Sequence, residues 1–160
     1  MHYFLGLEVW QRSYEIFLSQ GKYTVDVLHR IGMLDCKSMS TPMVSNLKKL
    51  HASDSRSDLV DPTMYRQLIG SLMYLMHTKL GICFAVSALS QFMSEPRQRH
   101  WVAAKHVLRY LRGSIAFGLK YTSNSGVLLH GYVDSDWARS SVDRKSISSY
   151  CFSLGSTIKS

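Results

Sequence analysis

Five basic side chains gather in one short stretch: Arg97, Arg99, Lys105, Arg109 and Arg112, set against the single acid Glu95. Lys105, Arg109 and Arg112 stand at i, i+4 and i+7, which is one face of a helix. Such a row of cations can neutralise phosphates of a nucleic acid without reading its bases. It is equally compatible with an ordinary solvated helix face. Further along, Val133-Asp134-Ser135-Asp136 places two carboxylates two residues apart, on the same side of an extended chain. Taken alone, Asp134 is an acid at a strand end, as compatible with solvation as with a site. His100 and His106 are six apart and miss the i, i+4 spacing of a zinc pair, so they are read as structural or solvent-facing. Cys36, Cys83 and Cys151 are widely separated, with no Cys-x-x-Cys pair. That argues against a zinc knuckle or a disulfide framework, and for a reducing compartment. Neither a P-loop nor a glycine-rich dinucleotide fingerprint is present.

The chain has 160 residues, a formal charge of +8 and a pI near 9.5. Its 46% hydrophobic content is that of a globular protein. Half of the net charge lies between Glu95 and Arg112. The balance reverses from His51 to Pro62, where Asp54, Asp58 and Asp61 outnumber Arg56. A localised basic patch favours a polyanion as partner. The longest apolar stretches, such as 68–76, are too short to span a membrane. Met1-His2-Tyr3 lacks the charged start and apolar core of a signal peptide.

The elements that must position these residues follow from periodicity. Residues 4–9 and 16–19 are short, apolar and β-prone, and the polar linker 11–15 between them predicts a hairpin. Tyr23, Val27, Leu28 and Ile31 fall at helical spacing within 22–31, with Gly32 where a C-terminal cap belongs. Residues 33–61 read as a long, polar, mobile connection broken by Pro42. Asp61-Pro62 opens a second helix as cap and first turn. Its stripe is Tyr65, Leu68, Ile69, Leu72, Leu75 and Met76, with Gly70 and Ser71 small enough for a close helix approach. A third helix is expected over 82–93, ending before Pro96. A fourth runs from about His100 to Arg112, with Trp101, Ala104, Val107, Leu108 and Leu111 as its core face. Gly113 ends it, and the period then changes: 117–121, 127–133 and 147–154 read as strands, with a turn signal at Asn124-Ser125-Gly126. Aromatic residues at helical spacing, and the methionines, are read as core or loop packing.

Several segments, in order and at matching spacing, resemble the Pol polyprotein of copia-type LTR retrotransposons. They are residues 4–9 with 16–20 and 22–23; 32–37 with 41–43; 65–75 followed by 82–86, 89–90 and 92–93; 100–105 with 108–113; and 131–138 with 143–146 and 150–152. The resemblance covers almost the whole chain and suggests a plant source. It departs from the family pattern at Leu80-Gly81, where a Pro-Asp pair is usual, at Arg139-Ser140-Ser141, where acids are usual, and at Ile147-Ser148-Ser149, where Thr-Ser-Gly is usual.

The resemblance implies an α+β fold: an N-terminal β-hairpin, a helical thumb and connection, then the first strands of an incomplete ribonuclease H-like α/β fold. Residues 1–113 would form the primer grip, thumb and connection of a reverse transcriptase. Residues 114–126 would be linker and strand, and 127–160 the start of ribonuclease H. The parent activity would be RNA-directed DNA synthesis and cleavage of RNA in RNA–DNA hybrids. Asp134 would be the first catalytic, Mg²⁺-binding acid of the nuclease, with the remaining acids and the polymerase site outside this chain. Two-metal catalysis requires several converging carboxylates, so the chain alone is expected to be inactive and to bind Mg²⁺ without tightness. Expected partners are a template–primer duplex or RNA–DNA hybrid and the rest of the polyprotein, with no membrane. The alternatives are a residual non-catalytic nucleic-acid-binding module and a functionless translated remnant. The location of an active element would be cytoplasmic or nuclear, that of an organellar fragment organellar.

Overall fold

The computed structural model describes residues 2–43, 50, 58–122, 129–136 and 147–154, the last two segments by their backbone only. The N-terminal strands are β1 (His2–Phe4), β2 (Leu7–Arg12) and β3 (Glu15–Ser19). The expected hairpin is β2–β3, turning at Ser13-Tyr14 between Arg12 and its partner Glu15. The single strand expected over 4–9 is instead divided. Phe4 pairs with Leu7 across the two-residue loop Leu5-Gly6, whose φ angles are 47° and 76°. Two successive positive φ angles are the signature of a type I′ turn, whose twist suits a hairpin. Leucine is a poor residue for that conformation, which is why the turn was not legible. The Tyr74 hydroxyl holds it by donating to the Leu5 carbonyl.

Four helices are present among the described residues: α1 (Gly21–Arg30), α2 (Pro62–Leu75), α3 (Cys83–Ser90) and α4 (Gln98–Gly113). α1 ends as expected at Gly32, in the left-handed region at φ 68°. The Gly32 N–H donates to the His29 carbonyl and the Met33 N–H to the Leu28 carbonyl, the paired bonds of a Schellman cap. Asp61 caps α2 by accepting from the Thr63 N–H at 2.8 Å. The third helix is shorter than expected. A 3-10 turn at Leu80–Ile82 leads into it without a side-chain cap, and it stops at Ser90. α4 begins two residues early, because the His100 ring accepts the Arg97 backbone N–H at 3.0 Å and satisfies one free donor of its first turn. The remaining ring nitrogen of His100 then carries the proton and donates to the Leu50 carbonyl at 3.0 Å.

The core lies among the helices. Val27 and Leu28 of α1 meet Tyr65, Leu68, Ile69, Leu72 and Leu75 of α2, Ala85, Val86 and Leu89 of α3, and Ala104, Val107, Leu108 and Leu111 of α4. The buried Tyr65 hydroxyl donates to the Leu89 carbonyl at 2.9 Å, so its polar end is satisfied. Gly70 makes no close helix approach: a β-carbon built there would meet nothing within 4 Å.

β4 (Gly118–Thr122) does not pair with the strand after it. It pairs antiparallel with β3, from Ser19–Gly118 to Glu15–Thr122, and completes a sheet of order β1-β2-β3-β4. Gly118 is required by close approach, since a β-carbon there would run into the Leu18 carbonyl and lie 2.8 Å from the Phe17 ring. β5 (Leu129–Asp136) and β6 (Ile147–Leu154) form a separate antiparallel pair. The turn expected at 124–126 and the departure at 139–141 lie outside the described residues, as do 44–49 and 51–57 of the polar connection.

Buried polar groups join the helices to the sheet. The Lys79 ammonium, 4% exposed, donates to the carbonyls of Ser114 at 2.6 Å, Ile115 at 2.9 Å and Phe117 at 2.6 Å. These carbonyls belong to the C-cap of α4 and to the segment that leads from it to β4. Gln20, wholly buried, donates to the Tyr74 carbonyl and accepts from the Thr78 hydroxyl at 2.7 Å. Glu8 of β2 accepts from the Gly21 N–H at 3.0 Å.

Burial pushes the Lys79 ammonium down to about 8, against the Glu8 carboxylate, which raises it. The unfolded chain keeps this proton to higher pH, so the fold gains stability as pH rises above about 8. Burial moves the Tyr65 phenol the other way, well above its ordinary value of about 10. The unfolded chain therefore ionises Tyr65 first, and stability falls above about pH 10. Urea unfolding should show a maximum between these limits, and Lys79→Met should lose the rise on its low-pH side. The same substitution removes three hydrogen bonds, although the Ser114 carbonyl keeps the Phe117 N–H; partly offset by removal of a buried charge, it should cost about 2 kcal/mol at neutral pH. Gly70→Ala should stabilise the protein by about 1 kcal/mol, raising its urea midpoint, because an exposed mid-helix position gains propensity and meets no clash.

Candidate nucleic-acid interface

The basic face of α4 exists, but its five cations have different surroundings. Arg97 reaches Glu95 at 2.7 Å across a surface ion pair. Arg99 lies beside His100, its Nε 3.4 Å from the ring Nε2, and His100 stacks on Phe92 with ring centroids 3.9 Å apart. Lys105 sits over the Trp101 ring, 5.5 Å from its centroid. Arg109 and Arg112 each give their Nε–H to the backbone of residues 34–41. Arg109 donates to the Lys37 carbonyl at 2.8 Å and Arg112 to the Leu34 carbonyl at 2.6 Å.

Two more contacts complete that clamp. The His106 ring lies 3.0 Å from the Thr41 carbonyl, and the Met39 N–H donates to the Arg109 carbonyl at 3.2 Å. About two turns of α4, from His106 to Arg112, thus hold residues 34–41 by their backbone. The expectation of a mobile connection does not hold for this first part of it. A guanidinium has five N–H donors, so a bond through Nε leaves Arg109 and Arg112 able to present further N–H groups to solvent or to a phosphate. His100 and His106 are structural, as the sequence indicated. Trp101 is half-buried at the margin of the core rather than within it.

A sixth cation, not singled out from the sequence, lines the same cleft as Lys105. Arg30, in the last turn of α1, lies over the Tyr23 ring at 5.7 Å and donates through Nε to the Asp26 carbonyl. Arg30 and Lys105 border an open cleft of about 520 Å³ between α1, α2 and α4. A cation in the last turn of a helix is ordinarily explained by the helix dipole, so nothing in the sequence marked Arg30 as part of a site.

Asp134 lies on β5 opposite Ser149, and Asp136 opposite Ile147. The strand therefore places both acids on one face, as expected. A centre of two Mg²⁺ ions needs several oxygen ligands converging from different elements. Among the described residues, no three His, Cys, Asp or Glu come together in a way that could hold a metal ion. The carboxylates on β5 and β6 are Asp134 and Asp136, two acids of one strand, fewer than such a centre needs, and no catalytic step is assigned to them. Among the described residues no helix is long and apolar enough to cross a membrane.

No family model matches the chain, and no solved structure matches it. Curated proteins do. The retrovirus-related Pol polyprotein from transposon RE2 of Arabidopsis thaliana is 42% identical over 156 residues, covering 97% of this chain and 10% of the polyprotein. The corresponding polyprotein from a transposon of Nicotiana tabacum is 35% identical over 157 residues, 94% of this chain and 12% of its own length. An uncharacterised mitochondrial protein of Arabidopsis thaliana is 40% identical over 158 residues, 99% of this chain and 65% of its own length. The chain thus spans about a tenth of the transposon polyproteins it matches. Similarity at this level along nearly the whole chain places it in the copia-type family of retrovirus-related Pol polyproteins.

Proposed function

We propose that the chain is the part of a transposon Pol polyprotein that runs from the end of reverse transcriptase into the start of ribonuclease H, and that its own role is to grip a nucleic-acid duplex. In this reading residues 1–113 are primer grip, thumb and connection, 114–126 linker and strand, and 127–160 the first strands of the nuclease. The polyprotein as a whole would carry RNA-directed DNA synthesis and cleavage of RNA in hybrids. The present residues hold and orient the template–primer, and Asp134 is the first acid of a nuclease centre that other segments complete with Mg²⁺.

The observation that carries the reading is the single-sign row Lys105, Arg109 and Arg112 on one face of α4, extended by Arg97 and Arg99 at its start. The opposite face of the same helix is locked into the core through Ala104, Val107, Leu108 and Leu111. A rigid helix with a fixed cationic side contacts phosphates whatever the bases.

Two outcomes test it. The 160-residue chain should bind an RNA–DNA hybrid at low salt. Replacing Arg97, Arg99 and Lys105 by Gln should flatten the log–log salt dependence by about 0.9 for each phosphate no longer neutralised, taking the B-form value. No binding at low salt would sink the proposal. Incubated with hybrid and Mg²⁺, the chain should leave the RNA intact, and Asp134→Asn should change nothing. RNA cleavage that disappears in Asp134→Asn would show that the chain carries a working nuclease centre by itself.

A further inference from the structure

The cleft between α1, α2 and α4 is lined, apart from Lys105, by residues that the duplex reading does not use. Its floor is apolar, made by Val27, Ile31 and Leu68, and Trp101 forms part of its wall. Arg30 and Lys105 are the ionisable groups that line it, and among the described residues no acid does. Gln67 adds a carboxamide, with both a donor and an acceptor, and the Ser71 hydroxyl donates to the Gln67 carbonyl, so its lone pairs can accept. A volume of about 520 Å³ lies within the usual range for small-molecule sites, which are mostly apolar with a few placed polar groups.

Both cations are held in place before any ligand arrives. The Arg30 guanidinium is fixed by its bond to the Asp26 carbonyl and its seat over Tyr23, and the Lys105 ammonium rests over Trp101. Two cations without an acid call for an anion, and two cations at once suit a phosphate, which accepts several charge-assisted hydrogen bonds. The apolar floor and the indole call for a flat, poorly hydrated body attached to that anion.

We propose that this cleft binds a nucleoside phosphate, with the base lying against Trp101 and the apolar floor and the phosphate held between Arg30 and Lys105. Gln67 and Ser71 meet the polar edge of the base or the sugar. The ligand chemistry has two sources, a free mononucleotide or the phosphorylated end of a strand. The site shares Lys105 with the duplex grip, but Arg97 and Arg99 do not line it and Arg30 is no part of the α4 row.

Calorimetric titration of the 160-residue chain with AMP tests this. Saturable binding is expected, with inorganic phosphate alone and adenosine alone each weaker by about tenfold or more, because each supplies half of the interactions. Arg30→Gln and Lys105→Gln should each weaken AMP by about tenfold. Arg30 is exposed and Lys105 partly so, and neither change is expected to disturb folding. Arg97→Gln with Arg99→Gln should leave AMP affinity unchanged while weakening hybrid binding, so the loss of one reading is distinguishable from the loss of the other. A short 5′-phosphorylated oligodeoxynucleotide that binds at least about tenfold tighter than AMP identifies a strand end as the ligand, and equal affinity identifies the free nucleotide. The absence of saturable AMP binding at millimolar concentration, or affinity unchanged in both Arg30→Gln and Lys105→Gln, overturns the proposal.

Discussion

One buried ammonium decides how the two layers of this protein meet. α4 ends at Gly113, and the chain must turn there to bring β4 back beside β3. In this turn the carbonyls of Ser114, Ile115 and Phe117 converge on one point. Lys79, arriving from the loop after α2, supplies three donors to them. Burying a charge is costly, and the depressed proton affinity of Lys79 is the mark of that cost. The alternative, the loss of all three of these bonds at the joint between helices and sheet, would be worse. Gln20 and Glu8 reinforce the joint from the sheet side, through Tyr74, Thr78 and Gly21.

That joint was not legible in the sequence, and the reason is physical. Amphipathic periodicity reports which residues are apolar on one face, so it found α1, α2, α4 and nearly the right β4, β5 and β6. Cap chemistry also reads locally, so Asp61-Pro62 and Gly32 marked the helix ends correctly. Lys79 and Gln20 belong to residue types that are ordinarily exposed. Their burial depends on which distant carbonyls they meet, and no local pattern carries that. The Leu5-Gly6 turn failed for a related reason: a leucine in the left-handed region is held there by Tyr74, far along the chain. The pairing of β4 with β3 rather than with its neighbour in sequence is likewise a long-range choice.

The candidate interface was partly legible in the same sense. Spacing alone set Lys105, Arg109 and Arg112 on one side of α4. It did not show that Arg109 and Arg112 also hold the backbone at Lys37 and Leu34, nor that Arg30 of α1 lines the same cleft as Lys105. The polar side of α4 therefore has two jobs along its length. Its C-terminal half clamps the chain's own backbone, and its N-terminal half carries Arg99 and Lys105. The copia-type family membership accounts for the pattern of the whole chain, while the division of labour among the cations comes from the geometry.

The order β1-β2-β3-β4 places α1 to α4 between two neighbouring strands. The helical block is entered after Ser19 and left before Gly118, and those two residues are paired partners. Adjacent strands lie about 4.8 Å apart, so the block hangs from the sheet by a narrow two-strand stem. An inserted unit whose ends coincide can lengthen, shorten or be exchanged without rerouting the sheet that carries it. That topology confines such change within the helices to one side of the stem.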